Sequence, residues 1–237
     1  MSLPKLETPT FKIKVPSTSQ SITFRPFLVK EEKLLLMLTD DSSSSEKFKL
    51  IRDLITTCAQ DEFDFSKLTT FDIEYIFISL RSKSVGQEVS LNVKCSECET
   101  QCPISIDLDQ DVFVDNLNKS NKNKKFTVPI TNTVGMTLRY PFFEDLGKDS
   151  ISEDNVDVMS ILSKSIESIY DDKTVYDPND YTLDEIKEFI NNLSMKDLEK
   201  VKEFFDNTPK VKCKIDFTCP SCKHENKRDL DGLVNFF

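Results

Sequence analysis

Apolar positions along this chain alternate at period two in short runs and recur at helical spacing in longer ones. Phe11-Lys12-Ile13-Lys14-Val15 alternates, as does Ile22-Thr23-Phe24, and Pro16-Ser17-Thr18-Ser19 supplies turn chemistry between them. That pattern predicts a β-hairpin after an entry arm. Arg25-Pro26-Phe27-Leu28 then leads into a predicted helix over 29–40, with Val29, Leu34, Leu35, Leu36 and Leu38 on a broad apolar face. Glu31, Glu32 and Lys33 fall off that face. Asp40-Asp41 and the serines from Ser42 to Ser45 read as a break. A second helix is expected over 46–59, with Phe48, Ile51, Leu54, Ile55 and Cys58 inward. A third, over 69–83, has Thr70 as its cap and Phe71, Ile73, Ile76, Phe77 and Leu80 at helical spacing. Cations at Arg81 and Lys83 and the stop at Gly86 suit its C-terminal end.

Period-two runs return at Leu91-Asn92-Val93-Lys94, giving a hairpin from about Glu88 to Leu108, and Asp107 to Asp115 reads as an acidic strand or turn. Two strands are expected at Phe126 to Ile130 and Met136 to Tyr140, turned between Asn132 and Gly135 and ended by Pro141. A helix is predicted over 155–169, carrying Val156, Met159, Leu162, Ile166 and Ile169, followed by an acidic loop from Asp171 to Asp180. Thr182 with Glu185 three residues on is a capping box, and Ser194 caps a further helix with Leu198, Val201, Phe204 and Phe205 inward. Asn207-Thr208-Pro209 stops it, and Lys210 to Phe217 leads into a last hairpin. The expected class is α+β. The N-terminal hairpin and helices occupy 1–86. Paired hairpins at 87–109 and 210–229 flank a mostly helical mixed insert at 110–209, and an apolar tail fills 230–237.

Composition narrows the chemistry. Phe occurs 18 times and Trp never, so the core is built on Phe, Leu, Ile and Val. With Gly at 4, neither a G-x-x-x-x-G-K-[ST] nor a G-x-G-x-x-G phosphate loop is present. The net charge of −10 argues against general nucleic-acid binding, which needs clustered Lys and Arg. The one basic cluster, Lys119 to Lys125, interleaves with Asn and Ser and reads as a solvated loop. Met-Ser-Leu-Pro-Lys-Leu-Glu lacks the apolar centre of a signal peptide, and no apolar run approaches the ~18 residues of a membrane span. Seven cysteines, an odd number, then fit a reducing cytosol.

Those cysteines carry the strongest motif. Cys95 and Cys98 form one C-x-x-C and Cys219 and Cys222 another, each at the end of a strand-like run and followed by a polar turn and a second such run. This is the layout of a zinc knuckle, in which a tight turn aims two thiolates at one point. A structural zinc takes four ligands in a tetrahedron, so two knuckles complete one closed four-cysteine site resembling a zinc ribbon. The cofactor expected is therefore structural Zn2+, with iron as the other soft metal, joining the middle of the chain to its end. Disulfides, unliganded thiols and a redox pair are the alternatives. Redox C-x-x-C motifs sit at helix N-termini, whereas strands are expected here. Cys58, Cys102 and Cys213 are read as core or strand residues, and superposing the two knuckles puts Cys102 opposite Asn226. His224, the single histidine, is read as an exposed turn residue or a substitute ligand. With one histidine, in such a turn, no catalytic set is visible.

Several stretches together resemble one family. Leu3 to Pro9, Phe24-Arg25-Pro26-Phe27-Leu28-Val29-Lys30-Glu31-Glu32-Lys33-Leu34-Leu35, Thr70 to Phe77, Leu80 to Gly86, and the ending Leu230-Asp231-Gly232-Leu233 with Phe236-Phe237 are similar to baseplate hub assembly proteins of T-even-type bacteriophages. The similarity is most specific over 22–36 and 70–86. It implies a non-enzymatic hub subunit or assembly factor of a contractile tail, whose partners are other phage baseplate hub proteins. Its expected place is the host bacterial cytoplasm during virion assembly, and the virion baseplate if it is retained. Arg25 to Lys33 and Leu233 to Phe237 are candidate contact surfaces. A zinc-ribbon nucleic-acid-binding protein and a thiol oxidoreductase are the rival readings.

Overall fold

The expected N-terminal hairpin forms as β1 (Phe11–Lys14) and β2 (Ser21–Phe24), with Ile13 opposite Ile22. It belongs to a computed structural model that describes residues 7–36, 44–117, 126–146, 151–152, 155–156 and 158–231. Three helices follow: α1 (Val29–Leu36), α2 (Ser44–Cys58) and α3 (Thr70–Val85). Of the expected break at Asp40 to Ser45, residues 40–43 lie outside the described residues, as does Leu38, whereas Ser44 and Ser45 open α2 two residues before the expected helix start.

Two details of these helices differ from expectation. Helix α3 runs over Thr70–Val85 rather than 69–83, and Thr69 rather than Thr70 is its N-cap. Its extended backbone lets its hydroxyl accept from Asp72 N–H, while the Asp72 side chain accepts from Thr69 N–H. Helix α1 turns its glutamate inward: Glu31 is 3% exposed, whereas Val29 is 69%, Leu34 47% and Leu36 79% exposed. Periodicity alone puts Glu31 in water. Local hydrogen bonding overrides it, since Glu31 accepts from Leu28 N–H at the helix start and pairs with Arg25 at 2.9 Å. Arg25 and Glu31 are thus structural, and the exposed residues of the expected contact stretch are Val29, Lys30 and Lys33.

The helix α3 buries side chains on more than one face, as a helix between two layers must. Ile73, Ile76, Phe77 and Leu80 pack with Phe24 of the hairpin and Leu54, Ile55 and Cys58 of α2. Phe71 and Ile78 face a second cluster with Val89, Ile106, Val112, Val211 and Ile215. Phe24 and Phe27 are core. The helix ends at Gly86, whose φ of 139° suits only glycine.

The second cluster is made by two hairpins. Strands β3 (Glu88–Lys94) and β4 (Gln101–Asp107) form one. The acidic stretch becomes a turn and then β5 (Val112–Asp115), which lies against the far-distant second hairpin. The insert is richer in strand than its periodicity predicts. Strands β6 (Phe126–Pro129) and β7 (Gly135–Leu138) form as expected, and a small pair β8 (Ile151–Ser152) and β9 (Asn155–Val156) precedes α4 (Val158–Ser165). The helix expected through residue 169 stops at Ser165. Ile166–Tyr170 is instead β10, antiparallel to β7, with β11 (Val175–Tyr176) beside it. Ile166 and Ile169 suit either period, and the ladder to Leu138 and Met136 decides between them. Helices α5 (Leu183–Asn191) and α6 (Met195–Asp206) carry the expected caps at Thr182 and Ser194 and cover this sheet.

The chain closes with β12 (Lys210–Thr218) and β13 (Glu225–Asp231), β12 lying between β13 and β5. Among the described residues this is an α+β protein of small antiparallel sheets and helices. The end of the apolar tail, 232–237, lies outside them.

Two polar groups in the N-terminal core are expected to govern stability. The buried Asp72 carboxylate accepts from Ser17 N–H (2.8 Å), Ser17 hydroxyl (2.6 Å), Thr69 N–H (2.9 Å) and Thr69 hydroxyl (2.6 Å). Asp72→Ala leaves four donors short of an acceptor and should cost about 3–5 kcal/mol in urea melts, against about 1 for Thr69→Ala. Equal, small effects would show that water replaces the carboxylate. At Glu31, burial pushes the carboxyl up, but the hydrogen bonds from Arg25 and Leu28 N–H and the charges of Arg25 and Lys30 hold it below its ordinary 4.5. A group depressed in the folded state adds stability above its unfolded pKa and loses it as pH falls through the folded value. Glu31→Gln should therefore cost on the order of 1–3 kcal/mol at neutral pH. The gap from wild type should narrow as pH falls below 4.5. A gap constant across that range would mean the ion pair contributes nothing.

Candidate metal centre

The two C-x-x-C turns have the same backbone. In the first, Cys95 N–H donates to Thr100 C=O at 2.9 Å and Glu99 N–H to Cys95 C=O at 3.1 Å. In the second, Cys219 N–H donates to His224 C=O at 2.9 Å and Lys223 N–H to Cys219 C=O at 3.0 Å. Glu99 and Lys223 each take a left-handed conformation, with φ of 58° and 60°. That conformation costs an L-residue on the order of 1–2 kcal/mol, and both turns accept it at the same step. The strands on either side, β3 and β4 or β12 and β13, hold each turn at a hairpin tip.

The tips meet. Cys95 Sγ lies 3.7 Å from Cys222 Sγ, and Cys98 Sγ lies 3.6 Å from Cys219 Sγ. All four sulfurs fall within 4.8 Å of one another. The pairing is crossed, the first cysteine of one turn meeting the second of the other, an arrangement compatible with an approximate two-fold axis between the turns. These separations are far beyond the roughly 2.05 Å of a disulfide, and all seven cysteines are free thiols. Cys95 and Cys219 are buried, while Cys98 and Cys222 are exposed.

Electrostatics divides the four. Cys98 N–H points at the Cys95 sulfur and is the main reason its thiol falls to about 6, helped by Asn226 and Glu97 N–H against the effect of burial. Cys219 is lowered in the same way by Cys222 N–H and Ser221 N–H. At Cys222 the N–H of His224 favours the thiolate, but the Cys98 sulfur, burial and the sulfurs of Cys219 and Cys95 together push the thiol up to about 12. Clustered thiols resist joint ionisation because each new thiolate repels the last. A bound cation removes that conflict and draws all four to the thiolate. Four close thiols with two lowered by backbone N–H groups thus form a donor set able to hold a metal ion.

The remaining candidates fall outside the cluster. His224 is exposed and contributes its carbonyl to the turn. Cys58 and Cys213 are core residues whose thiols burial pushes up to about 11. Cys102 is a buried β4 residue packed beside Cys95 and Cys219. Asn226, to which the sequence reading gives no role, is buried and donates from Nδ2 to Cys95 Sγ at 3.4 Å. The signal for it lay in the superposition of the turns, which sets it opposite Cys102. A polar residue at an inward position of a hairpin needs a partner inside.

This is the fold of a small α+β protein whose two hairpin tips gather four thiols. The model of the family described as T4 bacteriophage base plate protein matches residues 8–237, and the chain belongs to that family. No curated protein and no solved structure matches it.

Proposed function

We propose that the chain is a subunit or assembly factor of the baseplate hub of a contractile-tailed phage, acting through protein contacts rather than catalysis. It works in the cytoplasm of the infected cell, and in the virion if it is retained. The observation that carries this reading is membership of the phage baseplate family over 8–237. Two features support a contact role. Four thiolates around one ion leave no open position for water or substrate, which suits a structural metal. The exposed Val29, Leu34 and Leu36 of α1 offer apolar surface to a partner. The net charge of −10 favours a protein partner over nucleic acid.

The metal in this reading is zinc, held by Cys95, Cys98, Cys219 and Cys222 in a zinc-ribbon-like arrangement. A tetrahedron with metal–sulfur distances of about 2.3 Å has edges of about 3.8 Å. The two short sulfur separations, 3.6 and 3.7 Å, are close to that edge. Elemental analysis of purified protein should find one zinc per chain. Less than about a tenth of an equivalent of any metal would sink the site, and one equivalent of iron would keep the site and overturn zinc. Structural zinc contributes on the order of 10–16 kcal/mol of apparent binding energy in small peptides, so losing one of four ligands forfeits roughly a third of that. Cys95→Ser or Cys219→Ser should lower the melting temperature by roughly 10 °C or more and release the metal, while Cys58→Ser releases none.

The hub role is tested by pull-down from infected cells. Tagged chain should co-purify with the hub proteins of its own phage, and mass spectrometry of mature particles separates a subunit, which is present, from an assembly factor, which is not. Recovery of no baseplate protein would overturn the role.

A further inference from the structure

The two turns match in backbone but differ in a paired way. Ser96 follows the first cysteine of its turn, and Pro220 follows the first cysteine of the other. Seven positions on from each lead cysteine stand Cys102 and Asn226, each 2% exposed. Asn226 Oδ1 accepts from Ser96 N–H at 2.9 Å and from Ser96 hydroxyl at 2.8 Å. Its Nδ2 donates to Cys95 Sγ at 3.4 Å and to His224 C=O at 3.2 Å. The amide has one way round here, because Ser96 N–H can only donate and so must face oxygen. Across the approximate two-fold, Pro220 has no N–H to satisfy. Cys102 holds the matched position and donates to Thr100 C=O of its own hairpin at 3.4 Å. Where a turn presents an N–H, the opposite hairpin supplies an amide; where it presents proline, a thiol suffices.

We infer that Asn226 is a positioning residue that clasps the first turn to the second hairpin and holds the Cys95 sulfur in place. The clasp rests on the hydrogen bonds alone; its effect on metal retention rests on the metal reading above. The N–H···S bond stabilises the thiolate and fixes its direction, and loss of such a partner typically weakens metal binding about 10–100-fold. Ser96 is exposed, so water can satisfy its N–H when the amide is gone. The main consequence is therefore lost alignment at the sulfur rather than a buried unpaired donor.

The full chain is compared as wild type, Asn226→Leu, Asn226→Asp and Cys102→Ala. Three quantities are measured: amide hydrogen exchange at Ser96, metal release to a chromophoric chelator, and visible absorption of the cobalt-substituted site. Asn226→Leu should lose protection at Ser96 and release metal about 10–100-fold faster. Asn226→Asp keeps an acceptor and loses the donor. It should keep protection at Ser96, release metal faster and shift the cobalt spectrum. Cys102→Ala should stay within about two-fold of wild type, as the matched side chain without a clasp. Wild-type exchange and release in the Leu variant would overturn the inference, and so would a Cys102→Ala effect as large as that of Asn226→Leu, since that is plain packing. Should Asn226→Leu fail to fold, Asn226→Asp tests the bond to the Cys95 sulfur, and wild-type metal release and cobalt spectrum in that variant would overturn the inference. A wild type that binds no metal defeats the metal reading, and Ser96 exchange then decides the clasp by itself.

Discussion

Two hairpin tips 121 residues apart in the chain place their sulfurs in contact, and the path between them has to bring the chain back to the same point. Closing a loop of that length costs entropy that no thiol contact repays. A cross-link over about 100 residues restricts the unfolded chain by roughly 4.7 kcal/mol, and a metal clip acts in the same sense. The return is also secured elsewhere. Strand β12 pairs with β5 from Lys210 opposite Asp115 to Cys213 opposite Val112, so the segment just after the first hairpin and the start of the second share one sheet. The tips are brought together by their stems.

The insert is fastened at a second point. Tyr140 stacks on Phe204 at 5.5 Å and meets Phe71 edge-on at 5.6 Å, which joins the insert's sheet to α3. Three residues on, Phe143 packs against Phe48 and Phe65 at 4.7 and 5.8 Å, and its N–H donates to Leu68 C=O. Aromatic pairs of this kind contribute about 0.5–1.5 kcal/mol beyond their burial. They fall next to the Asp72 capping box, where Thr69 also bridges to Phe142. The start of α3 therefore serves the N-terminal hairpin through Ser17, the helix through Thr69 and the insert through Phe142 and Phe143.

What could be read from the chain follows from where each signal is stored. Capping boxes, hairpin alternation and C-x-x-C turns are local patterns, and Thr182, Ser194, Ile13 and the four clustered cysteines all fell where those patterns put them. The strand at Ile166 to Tyr170 was missed because its pairing partner, β7, lies some 30 residues upstream, and Ile166 and Ile169 fit a helical period equally well. Glu31 was misread for a related reason. Its burial depends on Arg25, which lies outside its own helix and leaves no trace in the periodicity. Of the site, the four cysteines that cluster were legible and their surroundings were not, since Asn226 meets Ser96 only after both hairpins have folded.

The difference between the turns shows how such a site tolerates an imperfect two-fold. Backbone N–H groups at the second and third positions after the lead cysteine face its sulfur in both turns, so this part of the environment is set by main chain and survives changes of side chain. The position just after the lead cysteine is the one at which the two turns differ. Serine at 96 adds a donor that Asn226 meets across the interface, and proline at 220 removes one. Exchanging either residue alone would leave an amide without its donor or a donor without its amide. The asymmetry thus ties residues in separate hairpins to one another.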